Sequence, residues 1–558
     1  MNLVIVALNS KYTHTSLSVR CLYNAVKDIS DCSFKEYTIN DSVDDVCMDL
    51  YAQNPHCVAF SCYIWNIEFV LKTASLLKKA NPNIKIVLGG HEAEHDGINI
   101  ILKNPFVDAV LHGEGEISLK IYVKYLMGQI AENELESVTY KKGEEIIETP
   151  VCAEKADLNA LPFVYDETIE EIKNKIIYYE TSRGCPYNCT YCISGEGHSV
   201  RFLDVERVKK ELTFFMEHKV PLVKFVDRTF NADKKRAKEI FSFIADNPSD
   251  TCFHMELSGD LMDEETVAIL SRAKKGSMQF EIGVQSTHGK TLDAVERKMS
   301  LERLKTGVKE LLTKTDIHIH LDLIAGLPYE DINTFKNSFN EVIALNPHVL
   351  QLGFLKLLKG SKIRSNDELH GYKYKDFPPY EIICNNYISY GDILTLKNVE
   401  EALERYYNSG SFKCSLKEIF KSYPDAYEVF LKIGNHFKTL YPTGYAFSKQ
   451  KLYDILYECF KDIGKEFMYA LKKDYLMSFR PGKRPYWFDE PDTSLTQKVY
   501  EMFKDEELKK EKFPCYFDVP AKEIMKHIHG ERFGDVVLLF DYREEKVYDV
   551  TGYLKADN

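Results

Sequence analysis

Three cysteines fall within eight residues, in the segment Thr181-Ser182-Arg183-Gly184-Cys185-Pro186-Tyr187-Asn188-Cys189-Thr190-Tyr191-Cys192. Thiolates separated by three and then two residues can wrap one cubic iron–sulfur cluster from a single loop. No fourth cysteine stands nearby. Structural zinc sites and electron-transfer clusters normally fill every metal position, so the missing ligand leaves one iron open to a substrate or cofactor. A zinc site completed by His198 is the competing reading, although zinc sites usually pair two C-x-x-C elements and nothing pairs with this one. The other eleven cysteines are scattered singly, and in a chain of this size they read as reduced, mostly buried small side chains.

A second set of reactive groups emerges from period-two geometry, because alternate side chains of a barrel strand point into the lumen. In Ile317-His318-Ile319-His320-Leu321-Asp322-Leu323 the polar members share one face. The same holds for His254 and Glu256 in Cys252–Glu256, and for Gln279 and Glu281 in Gln279–Ile282. A purely structural barrel fills its interior with Val, Ile and Leu, so seven polar positions imply a ligand chamber. His318, His320 and Glu256 are the candidates for acid or base work toward a substrate. The bland reading is that these groups simply satisfy one another by hydrogen bonding.

These residues need a scaffold. At 558 residues, with 44% hydrophobic and 28% charged, the chain is globular and too long for one core. From the start, short β-branched runs alternate with helical patterns, which predicts an α/β, flavodoxin-like (Rossmann-like) domain of about five parallel strands over 1–140. Its ligand belongs at the carboxyl ends of the strands, where the loops carry Tyr63-Ile64-Trp65-Asn66, Gly89-Gly90 and Gly113-Glu114. A hairpin over 137–151 falls in a linker, 141–170. Six further strand–helix units over 171–360 predict a partial (βα)6 TIM-type barrel, and 361–558 reads as mostly helical with a closing hairpin.

The cysteine loop resembles the C-x-x-x-C-x-aromatic-C signature of radical S-adenosylmethionine (radical SAM) enzymes, with Tyr191 at the aromatic position. The resemblance implies a [4Fe-4S] cluster held by Cys185, Cys189 and Cys192. Its open iron would chelate S-adenosylmethionine, and one electron would cleave the cofactor to methionine and a 5′-deoxyadenosyl radical. It further implies that Asp227, in Val226–Phe230, lies near the methionine amine, that Glu281, Gln285 and Ser286 approach the ribose, and that Ile324 opens the turn beside the adenine. The first domain is similar to the cobalamin-binding module of one branch of that family, matching at Gly89-Gly90 and Gly113-Glu114. It lacks the D-x-H-x-x-G motif whose histidine binds cobalt, which places Trp65, with Asn66, near the corrin instead of His14. The last ~200 residues resemble a domain of unknown function.

The expected function is therefore cobalamin-dependent radical chemistry, with methyl transfer to an unactivated carbon preferred over cyclisation or rearrangement. An RNA methylthiotransferase and a non-catalytic cobalamin or cluster sensor are the rivals. A net charge of −13 argues against nucleic acid as a partner, and no run approaches the length of a membrane span. A flavodoxin- or ferredoxin-type electron donor and a cytoplasmic location complete the expectation. His527-Ile528-His529 and Arg480–Arg484 read as ordinary surface residues.

Overall fold

A computed structural model describes residues 1–166, 168–194, 199–440, 447–480 and 484–554. The N-terminal sheet contains β1 (Leu3–Asn9), β2 (Cys32–Thr38), β3 (Cys57–Ser61), β4 (Lys85–Gly89), β5 (Ala109–Leu111), β6 (Val138–Lys142) and β7 (Glu145–Glu148), in the order β2-β1-β3-β4-β5-β6-β7. The first five are parallel. The apolar runs of β1, β3, β4 and β5 are buried on both faces, under helices Val43–Ala52 and Ile67–Ala80 on one side and Leu17–Val26 and Gly115–Leu126 on the other, while the edge strand β2 is mostly half-buried. The hairpin expected in a linker instead pairs antiparallel with β5 and widens this sheet to seven strands. Burial explains the difference: Val138 and Tyr140 point into the core.

The second sheet holds β8 (Ile177–Tyr179), β11 (Leu222–Phe225), β12 (Cys252–Leu257), β13 (Met278–Gln285), β14 (His318–Ala325) and β15 (Val349–Phe354), in the order β15-β14-β13-β12-β11-β8. Between β8 and β11 lies a short antiparallel ribbon, β9 (Ser182–Arg183) with β10 (Arg201–Phe202). This is the partial barrel expected, and along β13 every second residue is buried against the helices while Gln279, Glu281, Gly283 and Gln285 face the lumen. Six strands do not close on themselves, so β8 and β15 are the terminal strands of the sheet. The first domain reaches both. Its His14 loop bridges to Ile176 just before β8, and its Glu92 pairs with Lys359 at 3.0 Å, a few residues beyond β15.

Residues 1–347 and 351–393 form one compact unit, and 348–350 with 394–558 form a second. The second contains helices Lys413–Ser422, Ala426–Leu440, Lys449–Phe460 and Lys465–Ser478, followed by a three-stranded antiparallel sheet of Ile528–Phe533, Val536–Asp541 and Lys546–Asp549. The expected closing hairpin thus gains a strand at its front. Among the described residues no helix is long and apolar enough to cross a membrane.

Candidate functional site

The cysteine loop starts at Gly184 (φ +103°), where an added Cβ would lie 2.2 Å from the Ser199 carbonyl oxygen, so only glycine lets the two ends of the loop pass. From there the chain carries Cys185, Cys189 and Cys192 along the mouth of the barrel. Cys189 is buried and the other two are half-buried; all three are free thiols. Arg297 donates from Nη1 to Cys189 Sγ at 3.8 Å, Ser194 N–H donates to Cys192 Sγ at 3.4 Å, and Cys185 Sγ lies 3.6 Å from Thr229 Oγ1. Burial pushes the Cys185 thiol up, and the proximity of Cys192 and Cys189 adds to the shift, so a positive metal is what would hold Cys185 as a thiolate. Among the described residues no three of His, Cys, Asp and Glu converge as a mononuclear metal site does, whereas a cubic cluster takes its thiolates on separate irons. Three thiols from one loop are the donor set that a cubic cluster with one open iron would take. His198, the fourth ligand of the zinc reading, lies outside the described residues.

A recess opens beside the loop, with Glu256, Glu281, Gln285, Arg297 and Asp322 among its walls. Three of these carry buried polar atoms without a partner: Gln285 Oε1, Arg297 Nε and Asp322 Oδ1. Buried polar groups are nearly always satisfied, so two orphaned acceptors and one orphaned donor on one wall point to a polar ligand. Gln285 has φ +71°, strained for a non-glycine residue, and the β13–β14 register shifts between Gly283 and Gln285. Arg297 reaches the same place through Tyr191 Oη at 3.2 Å and the Gly283 carbonyl.

The electrostatics of the wall are divided. Burial, with Glu281 and Glu256 nearby, holds the Asp322 carboxyl well above the carboxylate range; burial and Glu281 likewise raise Glu256. Glu281 goes the other way, to about 2, because His254 Nε2 at 3.0 Å and Lys224 at 3.4 Å stabilise its charge. Two neighbouring carboxyls are thus shifted upward by burial and like charge, beside one that is shifted down by its cationic partners. Deeper in the lumen, His320 contacts Gln279 at 2.8 Å and Gln351 at 3.4 Å, and desolvation with the adjacent His318 lowers its pKa to about 4. His318 is the exposed first residue of β14. Neither histidine lines the recess; Glu256 does.

Other candidate residues have structural duties. Asp227 is fully buried and accepts from Thr181 N–H at 2.9 Å, Thr181 Oγ1 at 2.7 Å and Ser182 Oγ, so it anchors the chain entering the cysteine loop and does not face the recess. Ser286 donates to Glu330 at 2.6 Å, while Ile324 is half-buried on the lumen face. Asn66 caps its own loop, accepting from Tyr63 N–H and donating to the Leu8 and Ser61 carbonyls. Gly90 (φ +99°) lies where a Cβ would meet the Cys62 carbonyl oxygen at 2.7 Å, and Gly89 pairs with Ser61 at the end of β4. Trp65 is 47% exposed, stacks on Tyr63 at 4.4 Å and lines a separate cleft with Lys356, Pro378 and Pro379. His14 is engaged by Tyr178 Oη at 2.6 Å. Gly113 turns with φ +68°, and Glu114 forms ion pairs with Arg183 and Arg201.

Arg297 was missed in the sequence. It lies more than a hundred residues from the cysteines and in no patterned segment, so only the fold brings it there.

Comparison with known proteins divides the chain in three. Residues 3–123 match the B12 binding domain, 179–342 the Radical SAM superfamily, and 368–550 a protein family of unknown function, DUF4080. The cobalamin-dependent radical SAM methyltransferase TokK of Streptomyces tokunonensis is 25% identical over 344 residues, covering 58% of this chain and 50% of that protein. The anaerobic magnesium-protoporphyrin IX monomethyl ester cyclase of a Synechocystis species is 25% identical over 302 residues, covering 50% and 58%. The chain spans about half the length of these relatives. Among solved structures, that of the cobalamin-dependent S-adenosylmethionine radical enzyme OxsB with aqua-cobalamin and S-adenosylmethionine bound has a TM-score of 0.62 at 13% identity, covering 87% of this chain and 82% of that one, a likeness of fold.

Proposed function

We propose, from the premise that this chain belongs to the radical SAM superfamily and carries a B12-binding domain ahead of its radical SAM domain, that it is a cobalamin-dependent methyltransferase acting on an unactivated carbon. The domains imply a [4Fe-4S] cluster, S-adenosylmethionine and cobalamin as cofactors, and a reductant. One observation carries the reading: three free thiols in one loop stand beside a recess whose wall holds three orphaned polar atoms. When bound, the cluster supplies the electron that splits S-adenosylmethionine, and the corrin carries a methyl group.

The chain's own residues do the holding. Cys185, Cys189 and Cys192 provide three thiolates, and Arg297 steadies Cys189 while offering Nε to a carboxylate. Gln285 Oε1 accepts a hydroxyl, and the unpartnered Asp322 Oδ1 offers a second polar contact to the same ligand. Tyr191 packs against the arginine. His320 and Gln279 shape the floor beneath, as a neutral hydrogen-bonding surface. In the first domain, exposed Trp65 is the residue we place against the corrin, with the loops that end at Asn66 and Gly90 as its frame.

A cytoplasmic setting fits fourteen free thiols, and a flavodoxin- or ferredoxin-type protein is the donor we assign to the reductant's role. Methylthiotransfer to RNA is disfavoured: it calls for a second cysteine triad in the first domain, yet Cys57 and Cys62 are buried with thiols pushed up to about 12, and Cys21, Cys32 and Cys47 lie on separate elements. The decisive measurement uses S-adenosylmethionine labelled in its methyl group, supplied to anaerobically reconstituted, corrin-loaded protein. Label appearing in the protein-bound corrin supports methyl transfer; reductive cleavage with an unlabelled corrin moves the assignment to cyclisation. A Cys185→Ala, Cys189→Ala, Cys192→Ala triple variant that still cleaves the cofactor would refute the site.

A further inference from the structure

The base of the cysteine loop is held by the first domain. The loop leaves and returns through the two-stranded ribbon β9–β10, in which Arg183 pairs with Arg201. Both arginines turn toward the turn-and-helix start Gly113-Glu114-Gly115-Glu116. Arg183 Nη2 donates to Glu116 Oε1 at 2.8 Å, and Nη1 lies 3.4 Å from Glu114 Oε2 and 3.4 Å from Glu116 Oε2. Arg201 forms a close pair with Glu114, and its Nη1 donates to the Ala156 carbonyl at 2.6 Å. Glu114 also accepts from Ala156 N–H at 2.8 Å, and Glu180 completes the cage around Arg183 at 2.8 Å.

The side chains of Glu114 and Glu116 are only 14% and 10% exposed, and Arg183 is 22% exposed. Planar, doubly bonded guanidinium–carboxylate contacts at such burial fix orientation as well as distance. Glu114 holds its charge although burial opposes it, because Ala156 N–H and Arg201 offset that cost, and its pKa falls below the ordinary value. Arg183 is followed at once by Gly184 and Cys185, and Ser182 on its other side is tied to Asp227. The thiols therefore stand on a platform with two supports, one in the barrel wall and one in the first domain.

We infer that Glu114 and Glu116 with Arg183 and Arg201 are positioning residues that fix the cysteine loop to the first domain, so that the stance of the three thiols depends on that domain. The inference rests on the cluster assignment only for its spectroscopic consequence. Its structural half is tested on the metal-free full chain, by timed alkylation of Cys185, Cys189 and Cys192 followed by peptide mass mapping. In Glu116→Gln, isosteric but uncharged, and in Arg183→Lys, charged but without the fork, these three thiols should react about threefold to tenfold faster, with Cys57 and Cys62 unchanged as internal controls. In reconstituted protein the same variants should keep wild-type iron and corrin content while the electron paramagnetic resonance signal of the reduced cluster broadens or shifts. Unchanged alkylation and an unchanged spectrum in both variants overturn the inference. Wild-type protein that takes up no iron overturns the cluster assignment instead and leaves the alkylation result to decide the strut. Should Glu116→Gln fail to fold, Glu116→Asp, which shortens one arm of the pair, carries the same comparison.

Discussion

Gln285 sits with a positive φ at the end of a strand, in a conformation that costs a side-chain-bearing residue about 1 kcal/mol or more. Its Oε1 is buried and unsatisfied. Both penalties fall on one residue of the recess, which is where strain is retained for ligand binding. Replacing Gln285 by glycine should therefore raise thermal stability while weakening S-adenosylmethionine binding about tenfold, roughly 1.4 kcal/mol; calorimetric unfolding and equilibrium dialysis would show the two effects in opposite directions. His320 gives a pH test. Its folded pKa, about 4, lies below the ordinary 6.5, so as pH falls between those values the unfolded chain takes up a proton that the folded chain refuses, and stability drops. The ring is partly solvent-screened, which limits the effect to about 1–2 kcal/mol. Asp227, pushed up to about 6 by burial, contributes with the opposite sign, so the comparison must be wild type against His320→Gln. Relative to the His320→Gln variant, the wild-type denaturant midpoint should therefore be lower at pH 5 than it is at pH 7. Glu256, Glu281 and Asp322 were legible in the sequence because strand alternation alone puts them on the lumen face. Arg297 was not, since its place depends on a contact across the fold.

At the scale of elements, local pattern succeeded wherever apolar period and burial agreed. All six barrel strands and the five parallel strands of the first sheet fall where alternating or continuous apolar runs place them. Ile528–Phe533 failed that test: its interior reads His529-Gly530-Glu531-Arg532, and it becomes a strand because Gly534 (φ +60°) turns the chain back onto Val536–Asp541. The buried Glu531 in that strand bonds His529 at 3.0 Å, Arg484 at 3.0 Å and Lys472 at 2.7 Å, which accounts for the histidine and for the described end of the basic loop without a metal or a phosphate. A cap invisible to local sequence occurs in the same unit. Asp474 accepts from Cys414 N–H at 3.1 Å and Ser415 N–H at 2.7 Å, satisfying first-turn donors of the helix Lys413–Ser422 from sixty residues away. Asp474→Ala should destabilise the protein by about 1–3 kcal/mol, read as a lowered denaturant midpoint, because the two buried donors of Ser415 and the half-buried Cys414 N–H lose their acceptor.

For the whole molecule, a charge of −13 means that no uniform positive field draws in polyanions. Gel-shift assays with transfer or ribosomal RNA fragments at about 0.15 M salt should detect no complex, and a salt-sensitive complex would revive the methylthiotransfer reading. The chain holds two tryptophans, and the fold separates their surroundings: Trp487 is packed in the second unit with its Nε1–H on Asp454 at 3.0 Å, whereas Trp65 stands half-exposed at the loop end of the first sheet. Corrin rings absorb light across the range in which indole emits. Loading the first domain should accordingly quench Trp65 fluorescence, and a Trp65→Phe chain should lose that share of the quenching, which turns a single aromatic side chain into an optical gauge of corrin occupancy.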